Sequence, residues 1–149
     1  MFEHILFPTD GSPMSEAAML TCMAFAKSEG ARVTAVHVMP DFHILTANAE
    51  MIEDTREQYL AETEQRGRKV LAAVEQGAHD AGVSCETVLR RGDDPYKEIL
   101  DIARDRGCDL IAMASHGYRG VKAMLLGSET QKVLVHSMVP VLVLRPIAQ

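Results

Sequence analysis

The residues best suited to chemistry lie in one stretch, "MASHGYRGVKAMLLGSETQ" (Met113 to Gln131). Gly117 and Gly127 are separated by nine residues, and Ser128 follows at once. Glycine lets backbone N–H groups approach a ligand closely, and a helix that opens at Ser128 points unpaired N–H groups outward. A phosphate chain fits between the two glycines, with the Ser128 hydroxyl donating to it and Arg119 and Lys122 folding over it from the loop. A second reading needs no ligand: "SETQ" matches the S-x-x-E/Q capping box, with Ser128 and Gln131 as reciprocal partners. His116 invites a general-base role, yet no nucleophile or partner acid accompanies it, so it reads as structural or ligand-contacting. The chemistry on offer is binding; at most, slow hydrolysis or self-phosphorylation is compatible with it.

Familiar nucleotide motifs are missing. There is no GxxxxGK[ST] and no GxGxxG after the first strand, which argues against a standard P-loop and against a dinucleotide site. A response-regulator site needs an acidic pair where Asp10 stands alone. "TDGSPMS" has the hydroxyls of a flavin phosphate loop, but without tryptophan and at 5% aromatic residues there is little to sandwich a flavin ring. A net charge of −6 argues against general binding to nucleic acid or to an acidic membrane, since both need a basic field. The three cysteines, Cys22, Cys85 and Cys108, form no CxxC pair and read as small hydrophobes in a reducing compartment. The six histidines show no zinc-ligand spacing, and the nine methionines read mainly as core fillers. No apolar run reaches the roughly 18 residues of a membrane span, and "MFEHILFPTD" lacks a basic leader, so a cytoplasmic location is expected.

The elements that must position these residues alternate. "HILFPTD" (His4 to Asp10) reads as a strand. The helix that follows has Ser12 as N-cap, Pro13 first and Gly30 at its end. "RVTAVHVMP" is a β-branched strand, "DFHILTANAE" a loop, and Glu50 to Ala81 a long helix with an inward face near Ile52, Tyr59, Thr63, Val70, Val74, Ala78 and Ala81. A strand in "VSCETVLRRG" precedes a helix with Asp94 as N-cap, Pro95 next and Gly107 at its end. "DLIAMAS" is apolar throughout, as a strand buried on both faces must be. A helix from Ser128 to His136 and the strand "VPVLVLRP" follow. The order β-α-β-α-β-α-β-α-β predicts one domain over residues 1–149: a five-stranded parallel sheet, doubly wound and Rossmann-like, with helices on both faces.

In such sheets ligands bind at the carboxyl ends of the strands where the winding reverses. If the first strand is central with the fourth beside it, "PTDGS" and "ASHGYRG" face one crevice. Asp10 then lies beside the glycine loop, where an acid suits ribose hydroxyls; as a lone residue before Gly-Ser it also reads as a simple turn former. Arg90, Arg91, Asp93 and Asp94 read as solvated turn charges.

These residues resemble the universal stress protein family. Its nucleotide-binding members carry a glycine, two residues, a second glycine, nine residues, then Gly-Ser or Gly-Thr. Here Ala114 stands at the first position, and Gly117, Gly127 and Ser128 follow at that spacing. "PTDGS", "RRGD-P" and "VPVLVLR" also match, so the likeness spans essentially the whole chain. The resemblance implies a small stress-response protein that binds ATP, often with Mg²⁺ or Mn²⁺. Asp10 would lie near ribose or adenine and Val38 near adenine, with Gly117, Gly127 and Ser128 at the phosphates. Pro8, Met113, Ala114, His116, Arg119, Glu129 and Thr130 complete the expected lining. It also implies a homodimer through the last strand, Val139 to Leu144, which would otherwise be an exposed apolar edge. Two departures stand out. Ala114 adds a methyl at the first glycine position, and Glu129 sets a carboxylate beside the phosphate-binding step. Both favour an alternative, a nucleotide-free dimer acting through protein contacts.

Overall fold

The computed structural model describes residues 1–43, 49–117 and 126–145. Among them β1 (His4–Pro8), α1 (Pro13–Glu29), β2 (Arg32–Met39), α2 (Ala49–Ala81), β3 (Cys85–Arg91), α3 (Pro95–Asp105), β4 (Leu110–Ala114), α4 (Ser128–His136) and β5 (Val141–Leu144) alternate as expected. The strands form one parallel sheet in the order β3-β2-β1-β4-β5. The chain winds from β1 out to β3, then crosses back to β4 on the other side of β1. Leu6 pairs with Ile111 across that reversal, so β1 and β4 are neighbours and their carboxyl ends share one crevice.

Burial explains the strand sequences. Every residue of β1 and β4 is buried, and successive side chains point to opposite faces. Ile5 and Phe7 join Met23, Val33, Val74 and Ala112 beneath α1 and α2. Leu6 joins Val36, Ile102, Ile111 and Val133 beneath α3 and α4. A strand covered on both faces must be apolar at both parities, which is why "DLIAMA" shows no alternation. Cys22 and Cys108 are buried and Cys85 is half-buried; all three are free thiols. Burial pushes the Cys22 thiol up to about 12 and the other two up to about 11, so none is a reactive thiolate.

The helices start and stop where local chemistry requires. Ser12 caps α1 by accepting from the Ser15 N–H at 3.2 Å, with Pro13 first in the helix. Helices α1, α2 and α3 leave by one device: Gly30, Gly82 and Gly107 lie at φ 68°, 73° and 65°. Each following residue donates its N–H back into the helix, as Ala31 does to Ala26 O at 2.9 Å. Those following residues, Ala31, Val83 and Cys108, are buried and turn the chain into the next strand.

Two expectations need correction. The buried stripe of α2 is Thr63, Gly67, Leu71, Val74 and Ala78; Val70 is only half-buried, and Ile52 lies outside the described side chains. Gly67 belongs to the stripe because a Cβ there would lie 2.6 Å from Leu89 Cδ1. The last strand covers only Val141–Leu144, since Val139 is bound up in a turn with Ser137. The described methionines are mainly core, as read: Met23, Met39 and Met113 are buried and Met14 and Met19 pack against the core, whereas Met138 is 97% exposed.

Candidate nucleotide site

The β1 side of the crevice is a tight polar turn. Pro8 ends the strand buried, and the Thr9 N–H donates to Val36 O at 2.9 Å, continuing the ladder. Gly11 sits at φ 77°, a conformation L side chains rarely adopt, and a Cβ there would also press on Val70 Cγ2. Asp10 is exposed, and its Oδ1 accepts from the Ser12 N–H at 3.0 Å and the Ser15 hydroxyl at 2.9 Å. The turn-former role of Asp10 is therefore realised. Ser15, missed from sequence, holds that carboxylate; a serine inside a helix carries no signal that it reaches back to a loop. Val38 lies half-buried near the end of β2, two positions from Val36.

The β4 side is built by α4. Met113 and Ala114 are buried, and Ala114 belongs to the core beneath α1 and α2, so its methyl is absorbed by packing. The Ala114 carbonyl accepts from the buried Thr130 hydroxyl at 3.0 Å, which ties α4 to the strand end. The Gly127 N–H donates to Ser115 O at 2.6 Å. A Cβ on Gly127 would meet Ser115 O at 3.2 Å and His116 Cα at 3.3 Å, so backbone proximity alone accounts for this glycine. A Cβ on Gly117 would collide with Asp10 Oδ2, which places the β1 and β4 exits in direct apposition. His116 is half-buried, with Nδ1 3.2 Å from Ser115 Oγ. Arg119 and Lys122 fall outside the described residues.

The capping-box reading fails by one residue. Gly127, at φ −67° and ψ 158°, is the N-cap of α4, so Ser128 is the first helical residue. The Gln131 amide donates to Leu126 O at 3.0 Å and makes no reciprocal pair with Ser128. Ser128 is exposed, and its hydroxyl has no hydrogen-bond partner among the described residues. The first intrahelical bond runs from the Gln131 N–H to Gly127 O, which leaves the N–H groups of Ser128, Glu129 and Thr130 without an acceptor inside the helix.

Glu129 turns toward α3. Its Oε2 accepts the Tyr96 N–H at 3.0 Å, and its Oε1 lies 3.2 Å from Lys132 Nζ. Asp94 holds the N-cap position of α3 but makes no side-chain cap bond there; its Oδ2 pairs with Lys97 Nζ at 3.3 Å. The cap that sequence assigns to Asp94 is thus delivered by Glu129 from another helix. Arg91 is a further correction: it is not a solvated turn charge but bonds Pro40 O at 2.8 Å and Thr63 Oγ1 at 2.9 Å, holding the end of β2 to α2.

A five-stranded parallel sheet whose winding reverses between β1 and β4, with an open helix start at the reversal, is of the adenine nucleotide alpha hydrolase-like class. The chain belongs to the universal stress protein family, whose model matches residues 1–145. Universal stress protein YxiE of Bacillus subtilis is 34% identical over 149 residues, which cover 97% of this chain and 100% of that protein. Universal stress protein MJ0577 of Methanocaldococcus jannaschii is 30% identical over 97% of this chain and 96% of its own length. The solved structure of MJ0577 superposes with a TM-score of 0.84, covering 100% of this chain and 99% of that one. Two more distant structures share the fold. A universal stress protein in complex with cAMP is 20% identical over 97% of this chain and 98% of its own, with a TM-score of 0.68. One from Archaeoglobus fulgidus in complex with dAMP is 19% identical over 95% of this chain and 97% of its own, with a TM-score of 0.70.

Proposed function

We propose that this chain is a regulatory stress protein that binds an adenine nucleotide, ATP in its physiological form, at the carboxyl ends of β1, β2 and β4. The observation that carries the reading is the register of α4. With Gly127 as the cap, the Ser128 hydroxyl has no capping duty, and it sits beside three first-turn N–H groups on the positive end of the helix dipole. The residues fit the ligand in two further respects. Asp10 meets the Gly117 turn at the mouth of the crevice, with a carboxylate oxygen on that side suited to a ribose hydroxyl. Val38 offers apolar surface for adenine at the adjoining strand end. Family members of this fold that hold cAMP and dAMP support the choice of ligand class. The residues proposed to touch the nucleotide are Pro8, Asp10, Val38, Met113, Ala114, His116, Gly117, Arg119, Gly127, Ser128, Glu129 and Thr130, the last two through backbone N–H groups.

The same reading makes the protein a homodimer through β5, one of the two edges of the sheet; Val135 and Met138, which precede it in the chain, are exposed apolar residues. A second reading, a dimer without nucleotide, is favoured by one observation: Oδ1 of Asp10 is already committed within its own turn.

Calorimetric titration of nucleotide-stripped protein with ATP, with and without Mg²⁺ or Mn²⁺, separates the two. Binding in the micromolar range, weakened about tenfold by Ser128→Ala through loss of one hydroxyl hydrogen bond to a charged group, supports the site. No binding at millimolar ATP overturns it in favour of the nucleotide-free dimer. Ser128→Ala is the right variant, because Gly127→Val would also push α4 off the β4 exit.

A further inference from the structure

The helix start proposed to hold phosphate carries a carboxylate in its own first turn, and that carboxylate bears on which phosphates can enter. This inference rests on the nucleotide reading above. Glu129 is held from two sides, by the Tyr96 N–H at 3.0 Å and by Lys132 Nζ at 3.2 Å. It therefore points toward α3 and fills the place of the side-chain cap that Asp94 does not make. It nevertheless belongs to the first turn of the same helix, next to Ser128, and a charge acts over roughly 8 Å at physiological salt. A second carboxylate, Asp10, lies at the opposing strand end against Gly117. Lys132 offsets part of this charge, and Glu129 is only 36% exposed, so water does not screen it fully.

Repulsion from a carboxylate grows with the charge on the ligand. A triphosphate without metal carries most charge, a monoester about two negative charges, and a cyclic diester least. We infer that Glu129 is a charge selector for this site. It disfavours uncomplexed triphosphate, and it admits ATP as the divalent-metal complex and adenine mononucleotides without metal. Because its carboxylate faces α3, it acts through the field at the helix start, and its other task is to hold α3 against α4.

The test is calorimetry on the full chain with three probes: ATP in EDTA, ATP with Mg²⁺, and AMP in EDTA. Glu129→Gln removes the charge and keeps an oxygen for the Tyr96 N–H, so the fold is preserved. The expected result is about fivefold tighter binding of metal-free ATP, with AMP changed less than about twofold, so that the advantage of Mg²⁺-ATP over ATP shrinks. Lys132→Met removes the offsetting cation and is expected to act in the opposite direction, weakening metal-free ATP about threefold. Equal shifts for ATP and AMP in Glu129→Gln, or no shift, would overturn the selector and leave Glu129 a helix cap only. If no probe binds either protein, the nucleotide reading falls first; if AMP and Mg²⁺-ATP bind and the ratios stay fixed, the selector alone falls.

Discussion

His4 is buried at the amino end of β1, far from the crevice, with Nε2 2.6 Å from Thr34 Oγ1 and Nδ1 3.2 Å from an Arg32 guanidinium nitrogen. A guanidinium can only donate, so Nδ1 accepts, Nε2 carries the proton, and the ring is neutral. Thr34 passes the chain on to Glu86 Oε1 at 3.0 Å, which Arg106 also holds at 2.7 Å; Asp109 accepts the His4 N–H at 3.0 Å. Burial first, then the Arg32 charge, hold the His4 pKa below 6.5. The unfolded chain therefore takes up this proton more readily than the folded one. The stability due to neutral His4 is complete above the ordinary histidine value and is lost as pH falls from there toward the lowered one. Melting temperatures followed from about pH 7.5 down to about pH 5.5 should drop more steeply in the parent than in His4→Gln. Parallel curves for the two proteins would refute the assignment. None of this was visible in "EHILF", because a histidine within an apolar run looks the same whether its partners come from β2 and β3 or from water.

At the scale of elements, the local signals were legible and the crossed ones were not. Ser12, Pro13 and Gly30 bound α1 as read, because a cap and its N–H acceptors lie within a few residues of one another. At α3 the position of the cap, Asp94, is where the sequence puts it, but the bond that fills it was not legible, for the opposite reason. "DDP" supplies a good cap by sequence, but the bond to the Tyr96 N–H comes from Glu129, 33 residues away, once α3 and α4 pack side by side. A difference in stability follows. Glu129→Ala should cost about 1 kcal/mol in urea denaturation, as for loss of a helix cap. Asp94→Ala should cost less than about 0.5 kcal/mol, since it breaks only the exposed pair with Lys97. A larger loss from Asp94→Ala would mean that it caps α3 in solution. The candidate phosphate cradle turns on the same kind of detail. Moving the α4 cap from Ser128 to Gly127 decides whether a hydroxyl is spent on the backbone or left for a ligand, and Gly127 is held there by the approach of Ser115 O.

At the scale of the whole molecule, β5 ends the sheet with one side unpaired, and Val141, Leu142 and Val143 are only half-buried. Sedimentation should find a dimer, and Val143→Lys, which sets a charge on that edge, should shift the mass to the monomer and lower the melting temperature. A monomeric parent would remove the proposed homodimer. By itself the sequence determined the alternation of strands and helices, the two-sided burial of β4, and the stops at Gly30 and Gly107. Each of these depends on the period of the apolar pattern or on contacts between near neighbours in the chain. Only the tertiary structure decided that β1 and β4 adjoin, that Asp10 and Gly117 meet, that Glu129 of α4 caps α3 and that Ser128 is left without a cap to make. Those are contacts between distant segments, and they exist only after the sheet has assembled and brought its strand ends to one place.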